Sequence, residues 1–223
     1  MSDANRAGEL PLRQLILVPA LITLGITLLR LTGELLEWSP ALFNRQGGGF
    51  LSIVGIVWLV PVFGIYFAVK LVRAGHSPDS LGRTFGVAFL SLAIIPFSLW
   101  VVRTLHFAPG GRRFPLLIGV LAIVSLLVGL RAWPALGRVL FAYGLSARIP
   151  VAVVMLVAIL AGWGTHYEKG PPGFPPMHPL ATWFWIGLLP QLTIWIAFTV
   201  ILGTIFGALA ALAVGRRAQP AAA

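Results

Sequence analysis

Phe50–Val69 runs for 20 residues without a charged side chain. A helix rising ~1.5 Å per residue needs about that length to cross a ~30 Å hydrocarbon core. Comparable runs occur at Leu15–Leu29, Thr84–Val102, Phe114–Leu130 and Ile149–Thr165, and a longer one at Leu180–Val214. Only 10% of the residues are charged and 58% are hydrophobic. Soluble domains carry about 25% charged residues, so this chain has too few to coat a water-facing globule. Disorder is excluded by the same apolar excess. A transmembrane barrel would alternate polar and apolar positions in ~10-residue segments, which these runs do not do. The expectation is an all-α, polytopic transmembrane helical bundle of about six spans.

The spans are expected near 15–36, 50–72, 84–102, 114–131, 149–165 and 190–214. Residues 1–14 form a polar N-terminus, 15–214 a single membrane domain and 215–223 a polar tail. The first run reads as a span rather than a cleaved leader, because its flank is weakly basic and no small-x-small site follows. The last run is too long for one untilted span and too short for two with a hairpin. Pro190 divides it into a lead-in, Leu180–Leu189, and a crossing segment. Between spans four and five, Leu136, Val139, Leu140 and Tyr143 share one helical face. They predict a short amphipathic interfacial helix, set off from span five by Pro150. The alternative is the lower end of one long fifth helix. Pro19, Pro61, Pro96 and Pro190 fall within apolar runs, where proline bends helices.

The net charge is +10. With the cations between apolar runs, they set topology and meet anionic lipid, and no nucleic-acid partner is expected. Six spans place both termini on one side. Ten of the 16 Lys+Arg, Arg148 among them, then share that side with the termini. The positive-inside bias makes it cytoplasmic. Arginine far outnumbers lysine, a prokaryotic association that suggests a plasma (inner) membrane.

The opposite side collects the chemistry-bearing residues. Arg30 stands one turn before Glu34, and Glu37 follows on the same helical face. His106 ends span three, His166 and Glu168 end span five, and His178 closes a Pro/Gly-rich loop. If these ends converge, Arg30, Glu34, Glu37, His106, His166, Glu168 and His178 ring an outward-facing polar site. Imidazole and carboxylate suit a metal ion such as Zn, Mn or Fe, with His106, His166 and His178 as candidate ligands. A bis-His haem between His106 and His166 is a further candidate cofactor. The plainer reading is a set of solvated headgroup-level residues, with Arg30 and Glu34 snorkelling. A buried Arg30–Glu34 pair is the other option.

Several chemistries lack their signatures. With no Cys, a disulfide scaffold or thiolate metal site is excluded. Gly47–Gly49 lacks the Lys-Ser/Thr end of a phosphate loop, and neither His-Glu-x-x-His nor Gly-x-Ser-x-Gly occurs. Spans two to six are expected to hold no ionisable residue in their interiors, which argues against proton-coupled carriers. Gly203, Gly207 and Ala211 form a small-residue stripe for close helix packing.

Three functions remain. The first, and the leading one, is a non-catalytic helical subunit packing on other membrane subunits, suggested by that stripe, by the eight Trp and by the uncharged span interiors. The second is a passive or weakly coupled small-solute transporter, suggested by the prolines and by hydroxyl groups at depth. The third is a metal or haem enzyme using the outward His/Glu residues. The balance leans away from an enzyme, and the lipid bilayer is the common partner.

Overall fold

The computed structural model describes residues 11–46, 54–107, 113–171 and 173–218, and these form helices joined by short turns, with no strand among them. Residues 1–10, the Gly47–Gly49 joint, Ser52 and the end of the tail lie outside the described residues. Helices α1 (Leu12–Leu35), α2 (Leu59–Arg73), α3 (Leu81–Thr104), α4 (Arg113–Gly129) and α5 (Pro134–Ala161) come first. A 3-10 turn, His166–Glu168, follows. Then α6 (Pro179–Thr182), a π-helical turn (Trp183–Leu188), α7 (Leu189–Leu192) and α8 (Ile194–Ala218) form an almost continuous run. Four stretches are long and apolar enough to cross a membrane: Leu12–Leu35, Leu81–Thr104, Pro134–Ala161 and Pro179–Gly215. Helices α2 and α4 are shorter, at 15 and 17 residues.

The surface carries many large apolar side chains, and polar side chains are buried among an apolar core. Leu21, Val18, Leu90, Trp100, Leu127 and Leu160 point outward, whereas Thr23, Glu34, Ser91, Ser125, Arg148 and Thr204 are buried. Lipid tolerates apolar side chains at no cost, so polar groups turn inward to find partners. Ser91 Oγ donates to Ser125 O at 2.5 Å and Ser125 Oγ returns a bond to Ser91 O at 2.7 Å, tying α3 to α4. Thr23 Oγ1 and Tyr143 OH lie 2.8 Å apart between α1 and α5.

Helix α8 packs against α2, α3, α4 and α5 at the centre of the bundle. Its small-residue stripe is consumed there. A Cβ at Gly64 of α2 would stand 2.5 Å from Gly203 O, and one at Gly207 would stand 2.6 Å from Leu136 Cδ2. Ala211 is buried as well. The stripe therefore packs inside the protein and offers no outer docking face.

Three expectations change. The separate amphipathic helix is absent: residues 134–161 are one 28-residue helix, the alternative left open by the sequence. Leu136, Leu140 and Tyr143 are buried in the core instead of lying in headgroups. Pro150 removes one donor but does not break α5, because a nonpolar surround offers the backbone no better partner than the helix. Second, α2 starts at Leu59, so Pro61 occupies its first turn, where the missing N–H is one of the helix's unpaired donors. Third, the lead-in before Pro190 is helical from Pro179, and the run departs from regular α geometry at the π turn and at Thr193 (φ −117°, ψ −74°).

Candidate functional site

Helix α1 ends in a left-handed turn. Trp38 N–H donates to Gly33 O at 2.8 Å, and Glu37 takes φ 55°. This is a Schellman-type end with Glu37 at its left-handed position. Glu37 thus leaves the helical face of Glu34, is exposed, and pairs with Arg45 at 3.1 Å. Helix α3 ends in the same manner. His106 has φ 53°, and Phe107 N–H donates to Val102 O at 3.1 Å. His106 is exposed at that turn.

Glu34 has no solvent exposure. Its Oε1 accepts from Arg30 Nε at 2.9 Å and lies 2.5 Å from His166 Nδ1, while Oε2 accepts the His166 backbone N–H at 2.9 Å. Its carbonyl oxygen accepts from the Arg45 guanidinium, Nε at 2.8 Å and also Nη2. Arg30 Nη2 reaches Asn44 O at 3.2 Å. The buried Arg30–Glu34 pair is the arrangement observed, and it anchors the loop after α5 to the end of α1. Glu168 caps its own turn, accepting from Thr165 N–H at 3.0 Å. The exposed His178 accepts the Leu180 N–H at 3.3 Å through Nδ1, capping α6. Burial pushes the His166 pKa below its ordinary value; Arg30 and Lys169 push the same way and Glu34 opposes them. Burial raises that of Tyr167, whose hydroxyl donates to Thr27 O at 3.3 Å.

Of the seven sequence candidates, the fold therefore brings together Arg30, Glu34 and His166. Glu37, His106, Glu168 and His178 serve as turn and cap residues. Among the described residues no three His, Asp or Glu side chains group as metal ligands. The Glu34 carboxylate already accepts from Arg30 and from the His166 backbone N–H, with the His166 ring against it, so the residues present do not fit the expected metal site. Nor do they fit a bis-His haem, since His106 sits on an exposed turn and His166 is held against Glu34.

Beside this cluster opens a cleft of about 230 Å³ between α1, α5, the 3-10 turn and the start of α8. Arg30, His166 and Lys169 line it, as do Arg148, Gln191 and Trp195. Arg148 is the fifteenth residue of α5, about 20 Å from either helix end. It is 3% exposed. Its guanidinium carbon stands 4.6 Å from the centroid of the Trp195 ring. Its Nε has no acceptor, and it pairs with no carboxylate among the described residues. Gln191 is also buried. Its Nε2 donates to Met155 Sδ at 3.6 Å, and its Oε1 has no donor.

Arg148 corrects two sequence expectations. It is not a loop cation, which takes one residue from the ten on the termini side, and it places a charge inside a span region held to be uncharged. Reading Pro150 as a helix break concealed it. The signal was the buried stripe itself, which continues at helical spacing from Leu140 and Gly144 through Arg148 to Val151 and Met155. Arg148 Nε and Gln191 Oε1 are buried polar atoms of the cleft lining with no hydrogen-bond partner, and His166 Nδ1, though 2.5 Å from Glu34 Oε1, makes no well-formed hydrogen bond either.

No family model, curated protein or solved structure matches the chain.

Proposed function

We propose that this chain is an integral membrane protein of six helical passages that binds a small solute in the cleft and lets it pass passively or with weak coupling. Its membrane is the plasma membrane, with both termini cytoplasmic. One observation carries the reading: the cleft is lined by two buried polar side chains with unpartnered atoms, Arg148 and Gln191, between candidate membrane helices. Buried polar groups are costly when unpaired, and intramembrane ionisable residues mark solute pathways. The apolar outer surface supports the membrane setting. The small-residue stripe lends no support to the subunit reading, since Gly203 and Gly207 pack against α5 and α2.

The Cys-free chain allows a clean test. Ile186→Cys places a thiol on the cleft lining, and a membrane-impermeant thiol reagent should label it in sealed vesicles of one orientation only. Proteoliposomes should then release a small trapped solute faster than protein-free liposomes. Labelling from neither side would overturn the reading.

A further inference from the structure

The solute's chemistry can be narrowed, on the premise that the cleft takes a solute at all. We infer that its ligand is a small monocarboxylate that also carries a hydrogen-bond donor, such as a hydroxy acid, with the carboxylate on Arg148 and the donor on Gln191.

The charge comes first. None of the residues lining the cleft is an Asp or Glu. Arg30 is neutralised by Glu34 behind it, at 2.9 Å. That leaves Arg148, 3% exposed, as the deep uncompensated cation, and Lys169 as a second one at the rim. A buried guanidinium without a counter-charge is strongly disfavoured, so the site favours an anion over a neutral or cationic solute.

Geometry selects among anions. Trp195 covers one face of the guanidinium, which leaves the planar edge, with its unpartnered Nε, as the bonding surface. That edge matches a carboxylate bidentately. A doubly charged phosphate or sulfate would bring a second charge that only the solvent-facing Lys169 could meet. The walls between the polar groups are Ile56, Val151, Met155 and Ile186, so the ligand needs a short carbon body. The cleft, at about 230 Å³, suits a ligand with a body of a few carbons. Finally, Gln191 Oε1 is a buried acceptor without a donor, which a ligand hydroxyl satisfies.

Lactate and lactamide make a matched pair: near-identical size and the same hydroxyl, differing in charge. Binding to the purified full chain in detergent is read by tryptophan fluorescence, since Trp195 stacks on Arg148, and checked by calorimetry. Lactate should bind about tenfold or more tighter than lactamide, as expected for a charge-assisted bond. Arg148→Gln should abolish that preference. Lys169→Glu, an exposed change that leaves the fold intact, should weaken lactate binding severalfold. This second variant keeps the test decisive if Arg148→Gln fails to fold. Equal or tighter binding of lactamide overturns the carboxylate assignment while leaving a solute site in place. Inorganic phosphate binding tighter than lactate overturns it likewise. If lactate, lactamide, phosphate and glycerol all leave the fluorescence and heat unchanged, the solute reading falls together with the carboxylate.

Discussion

Glu34 and His166 are 132 residues apart in the chain, and the carboxylate of one receives the backbone N–H of the other at 2.9 Å. That bond, with the 2.5 Å approach of His166 Nδ1, fixes the rim of the cleft to the end of α1. Because Glu34 also holds Arg30, its loss leaves a buried cation unpaired. Glu34→Gln should destabilise the protein by about 3–5 kcal/mol, read as loss of monodisperse protein on heating in detergent. Arg30→Met combined with Glu34→Leu should recover much of that loss, whereas equal damage in the double variant would show that the pair is not the cause.

His166 should make stability depend on pH. Its proton is held less well in the folded protein than in the unfolded chain, through burial and the neighbouring Arg30 and Lys169. Below the ordinary imidazole value of 6.5, the unfolded chain therefore binds more protons, and stability rises with pH across that window. Above 6.5 the contribution should level off. Thermal unfolding across mildly acidic pH should show this slope, and His166→Gln should flatten it. A slope of opposite sign would contradict the burial argument.

The reciprocal Ser91–Ser125 bonds predict coupling between α3 and α4. Each single alanine substitution should cost about 0.5–2 kcal/mol, the range for hydrogen bonds between membrane helices. The double variant should cost less than the two singles together, because both residues share one arrangement. Additive losses in a double-mutant cycle would mean that the serines act independently.

His106 provides a test of role. Its left-handed backbone costs a non-glycine residue about 1–2 kcal/mol. His106→Gly should raise the unfolding temperature without affecting lactate binding. A drop in binding would return His106 to the site.

Gly64→Ala should be more damaging than Gly119→Ala. The added methyl at Gly64 meets the Gly203 backbone at 2.5 Å, whereas at Gly119 its nearest neighbours are at 3.6 Å, an ordinary contact. Overpacking of this kind costs about 1–3 kcal/mol. Yield and thermal stability of the two variants, measured side by side, decide it.

The all-helical, apolar architecture was legible because long uncharged runs admit few alternatives. The Arg30–Glu34 pair was legible in spacing, but not in burial, since snorkelling and pairing use the same residues. His166 could be named only as a member of a ring, because its partner lies across the whole chain. Glu37 and His106 misled because a helix end that turns left-handed redirects the next side chain, and nothing local announces such a turn without glycine. Arg148 was hidden by a proline that would interrupt a helix in water but sits within an unbroken one here.

The contact between Gly64 and Gly203 also bears on motion. At this one crossing main chain meets main chain, so neither α2 nor α8 can give way there by turning a side chain, and the crossing is a stiff joint between them.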